Sequence, residues 1–95
     1  MNDWPVGSFP IQADGVYPSE SGLLALPGMI WVYVSKQRAG ASIIVERFNG
    51  TDWLYAGTIS NGQRRDHVSV HESGYYRVRV SEFKRPFTMT FENTR

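Results

Sequence analysis

Apolar and polar residues alternate along most of this chain, as they do in β-strands with one buried face. Residues 29–35 place aliphatic side chains at every second position and aromatic ones between them, and residues 66–71, 74–82 and 86–92 alternate in a similar way. No window keeps the i, i+3, i+4 spacing of an amphipathic helix, and nine glycines and five prolines interrupt the chain. The pattern predicts an all-β domain.

Turn residues divide the chain into seven candidate strands, a number and spacing typical of a single antiparallel β-sandwich. The candidate strands are residues 23–26, 29–35, 41–48, 52–60, 66–71, 74–82 and 86–92. Asn49 and Gly50 lie between two of them, and both residue types accept positive φ angles. We therefore expect a hairpin that pairs 41–48 with 52–60.

Side chains at alternate positions of these strands are expected to form the core. Segment 41–48 allows two registers, one with Ile43 and Val45 inward and one with Ile44 and Phe48 inward. A slip of one residue would invert the strand. With the first register, the expected core contains Ile30, Val32, Val34, Ile43, Val45, Leu54, Val68, Val70, Tyr76, Val78, Val80, Phe87, Met89 and Phe91.

Residues 1–22 have a different composition, which predicts an extended N-terminal arm before a sandwich domain at residues 23–95. Pro5, Pro10 and Pro18 each remove a backbone donor, so any strand in the arm must lie at a sheet edge or on another surface.

Three large apolar residues of the arm, Trp4, Phe9 and Ile11, make it too apolar for a free tail. We expect them to bind a partner protein or a neighbouring subunit. The alternative is that the arm folds back over its own sandwich and contributes only to stability.

The segment ESGYYRVRV at residues 72–80 carries a local resemblance. Its Glu-x-Gly-x-Tyr-x-Val pattern resembles the Asp-x-Gly-x-Tyr-x-Cys pattern of immunoglobulin domains, with Glu in place of Asp and Val in place of Cys. The resemblance implies a tyrosine corner, in which the Tyr76 hydroxyl binds the backbone near residues 70–74. The same segment is similar to the Gly-x-Tyr strand of jelly rolls of the tumour-necrosis-factor and complement-C1q type, which assemble as trimers. Spacing and length favour the immunoglobulin-like arrangement over the jelly roll.

The opposite face of the same strand carries Tyr75, Arg77 and Arg79 in one row. The simpler interpretation is a charged, solvated face. The alternative is a docking face for a partner, because Tyr and Arg are enriched at interface hot spots.

Charge is unevenly distributed, although the net charge of the 95 residues is +1. The first 35 residues hold three acidic residues and no Lys or Arg, whereas the remainder holds ten basic and six acidic residues. This asymmetry favours contact between unlike surfaces of neighbouring copies. The chain has no cysteine, its N-terminus lacks the features of a signal peptide, and its longest apolar run is interrupted by Pro27-Gly28. The absence of cysteine indicates cytosolic folding or stabilisation by assembly, and we expect no membrane partner.

Catalytic and cofactor motifs are absent from the sequence, so we expect no enzyme activity and no cofactor. His67 and His71 are about 13 Å apart on an extended strand, which is too far for one metal ion. Two dibasic turns and many aromatic residues are compatible with single-strand binding, but nine acidic residues argue against nucleic acid. Carbohydrate is the stronger small-ligand class, because an exposed aromatic row would stack on sugar rings. The candidates are Trp31, Tyr33, Trp53, Tyr55 and Tyr75.

A small sandwich with these properties resembles the decoration, cement and head- or tail-associated proteins of tailed bacteriophages. The resemblance implies a non-enzymatic structural component of the virion, assembled in the host cytoplasm, that binds the major capsid protein, a tail protein, or itself as a trimer. The alternative is a carbohydrate- or host-surface-binding module, and a third interpretation is an immunoglobulin-like adaptor domain in another assembly.

Overall fold

In the part of the chain that the structure describes, nine antiparallel strands form two sheets that pack as a sandwich, which confirms the predicted all-β fold. The computed structural model describes Trp4 and residues 7–35, 40–60 and 64–95. The strands are β1 (Phe9–Ile11), β2 (Gly15–Tyr17), β3 (Leu23–Ala25), β4 (Gly28–Val34), β5 (Ser42–Phe48), β6 (Trp53–Ile59), β7 (Arg65–Val70), β8 (Gly74–Ser81) and β9 (Phe87–Thr94). Within these described residues there is no helix long and apolar enough to cross a membrane.

The strand order places most consecutive strands in different sheets. The first sheet has the order β1-β9-β4-β7, and the second has the order β2-β8-β5-β6. Strand β3 also pairs with β8, beside the first residues of that strand, whereas β2 pairs further along it. All seven strands predicted from the sequence are present.

Alternate residues of the long strands fill the space between the sheets. Val32 in β4 and Val78 in β8 are fully buried, as are Ile43 and Val45, which settles the register of β5. Every predicted core residue is buried except Leu54, which is 46% exposed. Leu54 has the inward parity, but it lies near the start of the edge strand β6, opposite Arg47, where little protein covers it.

The described part of the N-terminal segment lies against the sandwich and contributes one short strand to each sheet. Strand β1 is the edge of the first sheet and pairs with β9, and β2 lies at the edge of the second sheet against β8. Pro10 has no backbone N–H group to donate. It is tolerated because β1 is an edge strand that pairs with one neighbour only, as predicted for any strand in this segment. Residues 1–3, 5 and 6, including Pro5, lie outside the described residues.

The hairpin between β5 and β6 is confirmed, but its two turn residues act differently from each other. Gly50 has a φ of 101°, whereas Asn49 does not have a positive φ. The side-chain oxygen of Asn49 instead accepts hydrogen bonds from the backbone N–H groups of Thr51 at 2.8 Å and Asp52 at 2.7 Å. Asn49 therefore closes the loop as a side-chain acceptor.

Candidate functional site

The outer face of the second sheet brings together the predicted docking residues of β8 and side chains of β5, its neighbour, and β6, the strand beyond β5. Glu46 in β5 lies opposite Arg77 on one side and opposite Tyr55 on the other, so one row of side chains crosses three strands. We call this surface the tyrosine–arginine face. It consists of Glu46, Trp53, Tyr55, Tyr75, Arg77 and Arg79.

Glu46 holds both arginines of this face. The Nε group of Arg77 donates to its Oε1 at 2.8 Å, and the Nε group of Arg79 donates to its Oε2 at 2.9 Å. Burial by itself would raise the pKa of Glu46, but hydrogen bonds from Arg79 and Arg77 and the charges of both arginines outweigh this effect and lower the pKa. The carboxylate is therefore charged at neutral pH and orients both guanidinium groups.

Arg77 lies on the predicted face but is covered, so the expectation of a solvent-exposed side chain is wrong for this residue. Its side chain is 11% exposed, and its guanidinium carbon lies 4.1 Å from the centroid of the Trp53 ring. Its Nη1 also donates to the backbone carbonyl of Glu20 at 2.6 Å. The Trp53 ring reaches as far as Gly22, where an added β-carbon would stand 2.6 Å from it. The alternation of residues along β8 does not reveal that the Trp53 indole of β6 extends over the outer face of the sheet and covers Arg77.

The accessible part of the tyrosine–arginine face lies around this covered centre. Tyr75 is 51% exposed and Tyr55 is 66% exposed. The Tyr55 hydroxyl shares a hydrogen bond with the Thr58 hydroxyl at 2.5 Å. The Arg79 side chain is 42% exposed even though it binds Glu46. Two open tyrosines and one open guanidinium therefore surround a fixed ion-pair cluster.

Of the three apolar residues predicted to attach the arm to a partner, two lie in the protein's own core and the third packs against it. Ile11 is fully buried and Trp4 is 6% exposed, with its indole N–H donating to the Leu24 carbonyl at 3.0 Å. Phe9 is partly buried and packs edge-on against Phe91. This placement matches the alternative in which the arm stabilises its own sandwich.

The outer face of the first sheet carries the other aromatic pair, Trp31 and Tyr33. Their ring centroids are 6.3 Å apart, with an angle of 29° between the planes. Both side chains are half-buried. The guanidinium carbon of Arg65 lies 5.5 Å from the Trp31 ring centroid, and the His67 ring lies 4.6 Å from it. The face of Trp31 is therefore already occupied by neighbouring side chains.

A cavity of about 250 Å³ lies at one end of the sandwich and is lined by Arg47, His71, Glu72 and Tyr76. Tyr76 is buried, as predicted. The hydrogen bond from its hydroxyl to residues 70–74 stays a prediction. Arg47 was not among the sequence-derived candidates, although extending the alternation of Ile43 and Val45 by two residues points to it.

The two histidines lie in different surroundings. His67 lies beside Trp31 on the outer face of the first sheet, and His71 lines the cavity at the end of the sandwich. Within the part of the chain that the structure describes, no three His, Cys, Asp or Glu side chains are grouped so that they could hold a metal ion.

Comparisons with known proteins give no relative from which a function can be transferred. No protein-family model, no curated protein and no solved structure matches this chain significantly.

Proposed function

We propose that this protein is a non-enzymatic structural component that binds and stabilises a larger protein assembly through the tyrosine–arginine face. The observation that carries the proposal is the arrangement of Tyr55, Tyr75 and Arg79 around the Glu46–Arg77 pair. Tyr and Arg are the residue types that dominate interface energetics, since they bury much surface and still offer hydrogen bonds.

Preorganisation supports a docking role for this face. Glu46 and Trp53 immobilise Arg77, so little side-chain entropy remains to be lost there when a partner binds. Tyrosine has only two side-chain torsions and is likewise cheap to order. A solvated face with no binding role would not require a covered arginine at its centre.

The charge of the face indicates the chemistry of the partner. Arg77 and Arg79 carry two positive charges and Glu46 carries one negative charge, which leaves the face with a net charge of +1. The exposed guanidinium edge of Arg79 suits a carboxylate, because planar N–H groups pair with both carboxylate oxygens. The partner surface therefore carries acidic side chains.

The order of the strands supports a jelly-roll arrangement over the immunoglobulin-like one. In immunoglobulin domains the strand that carries the corner tyrosine and the next strand pair within one sheet. Here β8 and β9 lie in different sheets, and β5 and β6 are the only consecutive strands of the described chain that pair. Two sheets with the orders β1-β9-β4-β7 and β2-β8-β5-β6 are consistent with a double Greek key.

The assembly that we propose is the virion of a tailed bacteriophage. In this setting the protein is a decoration, cement or head- or tail-associated protein whose partner is the major capsid protein, a tail protein or a second copy in a trimer. It joins the virion in the host cytoplasm. The proposal rests on the type of protein: a small sandwich with a preorganised outer face and no catalytic motif.

Carbohydrate binding has less support from the geometry. A sugar platform needs aromatic rings whose faces are open, yet Arg65 lies over Trp31 and Arg77 lies over Trp53. The open aromatic residues, Tyr55 and Tyr75, lie on strands separated by β5, with the Glu46 ion pairs between them. This mixture of open tyrosines and charge suits a protein surface better than a sugar ring.

Site-specific photo-crosslinking in purified particles tests the proposal. A benzophenone amino acid replaces Tyr75 in one variant and Glu92, which is exposed on the outer face of the first sheet, in the matched control. We expect position 75 to cross-link to another structural protein or to a second copy, and position 92 to give little product. Equal cross-linking at both positions, or absence of the protein from particles, would contradict the proposal.

A further inference from the structure

One position of the inward-facing row is occupied by a charged residue. In β5 the inward residues Ile43 and Val45 are followed two positions later by Arg47, which lies opposite Tyr76 in β8 and Leu54 in β6. Arg47 is half-buried. A guanidinium group directed between two sheets loses water contacts, so a partner is needed to offset the cost.

Arg47 and Tyr76 are cross-strand neighbours, and both line the cavity. A β-carbon added at Gly74 would stand 3.8 Å from Arg47 Nε and equally 3.8 Å from Cε1 of the Tyr76 ring. His71 and Glu72, from the loop between β7 and β8, complete the lining and are exposed. The cavity of about 250 Å³ therefore combines a cation, a phenol, an imidazole and one carboxylate.

The charge of Arg47 is not matched by a described neighbour. Among the described residues the ion pairs are those of Glu46 with Arg77 and Arg79, and Arg47 takes part in neither. Glu72 lines the same cavity but is not within ion-pair distance of it. The cavity thus contains the guanidinium of Arg47 and, separate from it, the exposed carboxylate of Glu72 as an acceptor.

We propose that this cavity binds a small carboxylate that carries a hydroxyl or ammonium group next to it. The Arg47 guanidinium pairs with both carboxylate oxygens, as planar N–H groups do. His71 adds a donor, and Glu72 accepts from the neighbouring hydroxyl or ammonium. Glu72 also disfavours a doubly charged phosphate, because like charges repel at short range. The cavity and the tyrosine–arginine face are independent, since Arg47 faces inward and Arg77 faces outward.

Titrations with four probes distinguish the possible sources of this chemistry. Glucuronate represents a sugar acid, glycine represents an amino acid, acetate lacks the second group, and inorganic phosphate tests for general anion binding. Amide chemical shifts are followed in the intact chain. We expect glucuronate or glycine to shift the signals of residues 47 and 71–76, acetate to bind about tenfold more weakly, and phosphate to bind more weakly still.

Variants then link binding to Arg47. We expect Arg47→Met to weaken the binding of the preferred probe by at least about tenfold, and Arg47→Lys to weaken it less, because Lys keeps the charge but loses the paired geometry. The matched control is Arg85→Met, the same change at an exposed position in the loop before β9, which we expect to leave binding unchanged.

Three results would overturn the inference. They are phosphate binding as tightly as glucuronate and glycine, equal loss of affinity in the Arg47→Met and Arg85→Met variants, and no shift at the cavity with any of the four probes. A melting curve for each variant separates lost binding from lost folding.

Discussion

Glu46 is a carboxylate whose contribution to stability depends on pH. Arg79 and Arg77 lower its pKa, although burial opposes them, so the folded protein holds the charged form more strongly than the unfolded chain does. A lowered pKa contributes stability above the unfolded value of about 4.5, and this contribution is lost as the pH falls through the folded pKa.

Replacing Glu46 with Gln tests this dependence. At about pH 7 we expect Glu46→Gln to lower the free energy of unfolding by about 1–3 kcal/mol, because Arg77 loses a charged acceptor in a covered site. The difference from the unsubstituted protein should shrink as the pH falls below 4.5 and then through the lowered pKa of Glu46, because the carboxyl becomes protonated. Urea unfolding over a series of acidic pH values measures the difference, with Glu92→Gln as an exposed control. A constant difference across this range would argue against the ion-pair account.

Asn49 makes a testable contribution of its own within the hairpin. Its side-chain oxygen accepts two backbone hydrogen bonds, from Thr51 and Asp52, at the surface. We expect Asn49→Ala to lower the free energy of unfolding by about 1 kcal/mol. The effect is no larger because both exposed backbone donors can bind water in the variant. Thr51→Ala is the matched control, because Thr51 contributes only its backbone N–H to this pair of bonds. Equal effects of the two substitutions on unfolding midpoints would remove the special role of Asn49.

At the scale of elements, β1 shows how the N-terminal segment is bound. Ile11 is fully buried, Trp4 nearly so, and Phe9 packs against the core. A large apolar side chain is worth about 2 kcal/mol when fully buried, so Trp4 and Ile11 alone contribute about 4 kcal/mol, which is close to the total stability of many small domains.

Deleting residues 2–12 should therefore prevent stable folding. Circular dichroism of the truncated chain should lose the cooperative melting transition, and one-dimensional NMR should lose the dispersed methyl signals. A truncated chain that keeps its melting temperature but no longer enters particles would instead restore the attachment role of Trp4, Phe9 and Ile11.

The six longer strands, β4 to β9, could be predicted because each has enough residues to show which of its faces is buried. Strand β3 has only three residues and was predicted as a short apolar run between turn residues. Strands β1 and β2 are also three residues long, and their partners lie about sixty to eighty positions further along the chain, so the local pattern carries little information about them. Proline content restricted them to sheet edges, and both lie there. The cover over Arg77 depends on how far the Trp53 ring reaches, which alternation does not encode.

The candidate cavity was also beyond the local pattern. The position of Arg47 follows from the register of β5, but the register was open until Ile43 and Val45 were seen to be buried. Its neighbours are Tyr76 in β8 and two residues of the loop between β7 and β8. The pairing of β5 with β8 brings them together, and the sequence does not determine the strand order.

At the scale of the whole molecule, the two sheets approach each other closely along one edge. Strands β6 and β7 are the edge strands of their sheets, and Gly57 in β6 faces Val68 in β7. A β-carbon at Gly57 would stand 2.6 Å from Val68 Cγ2 and 3.3 Å from Cγ1. A valine has one torsion and two branches, so it has little freedom to move aside. The absence of a side chain at Gly57 thus allows the sandwich to close along this edge.

Gly57→Ala should consequently destabilise the protein by about 1–3 kcal/mol, the usual cost of overpacking a core. The matched control is Gly74→Ala, also in a strand, where an added β-carbon meets its nearest atoms at an ordinary 3.8 Å. That change should leave the free energy of unfolding nearly unchanged, because the reduced freedom of the unfolded chain offsets small losses in the folded state.

The double variant Gly57→Ala with Val68→Ala should recover part of the lost stability, since the two sites share one contact. Urea unfolding of the unsubstituted protein, the single variants Gly57→Ala and Val68→Ala, and the double variant measures the coupling. Strict additivity of the Gly57 and Val68 changes, or equal costs at Gly57 and Gly74, would show that this contact does not limit how closely the two sheets approach.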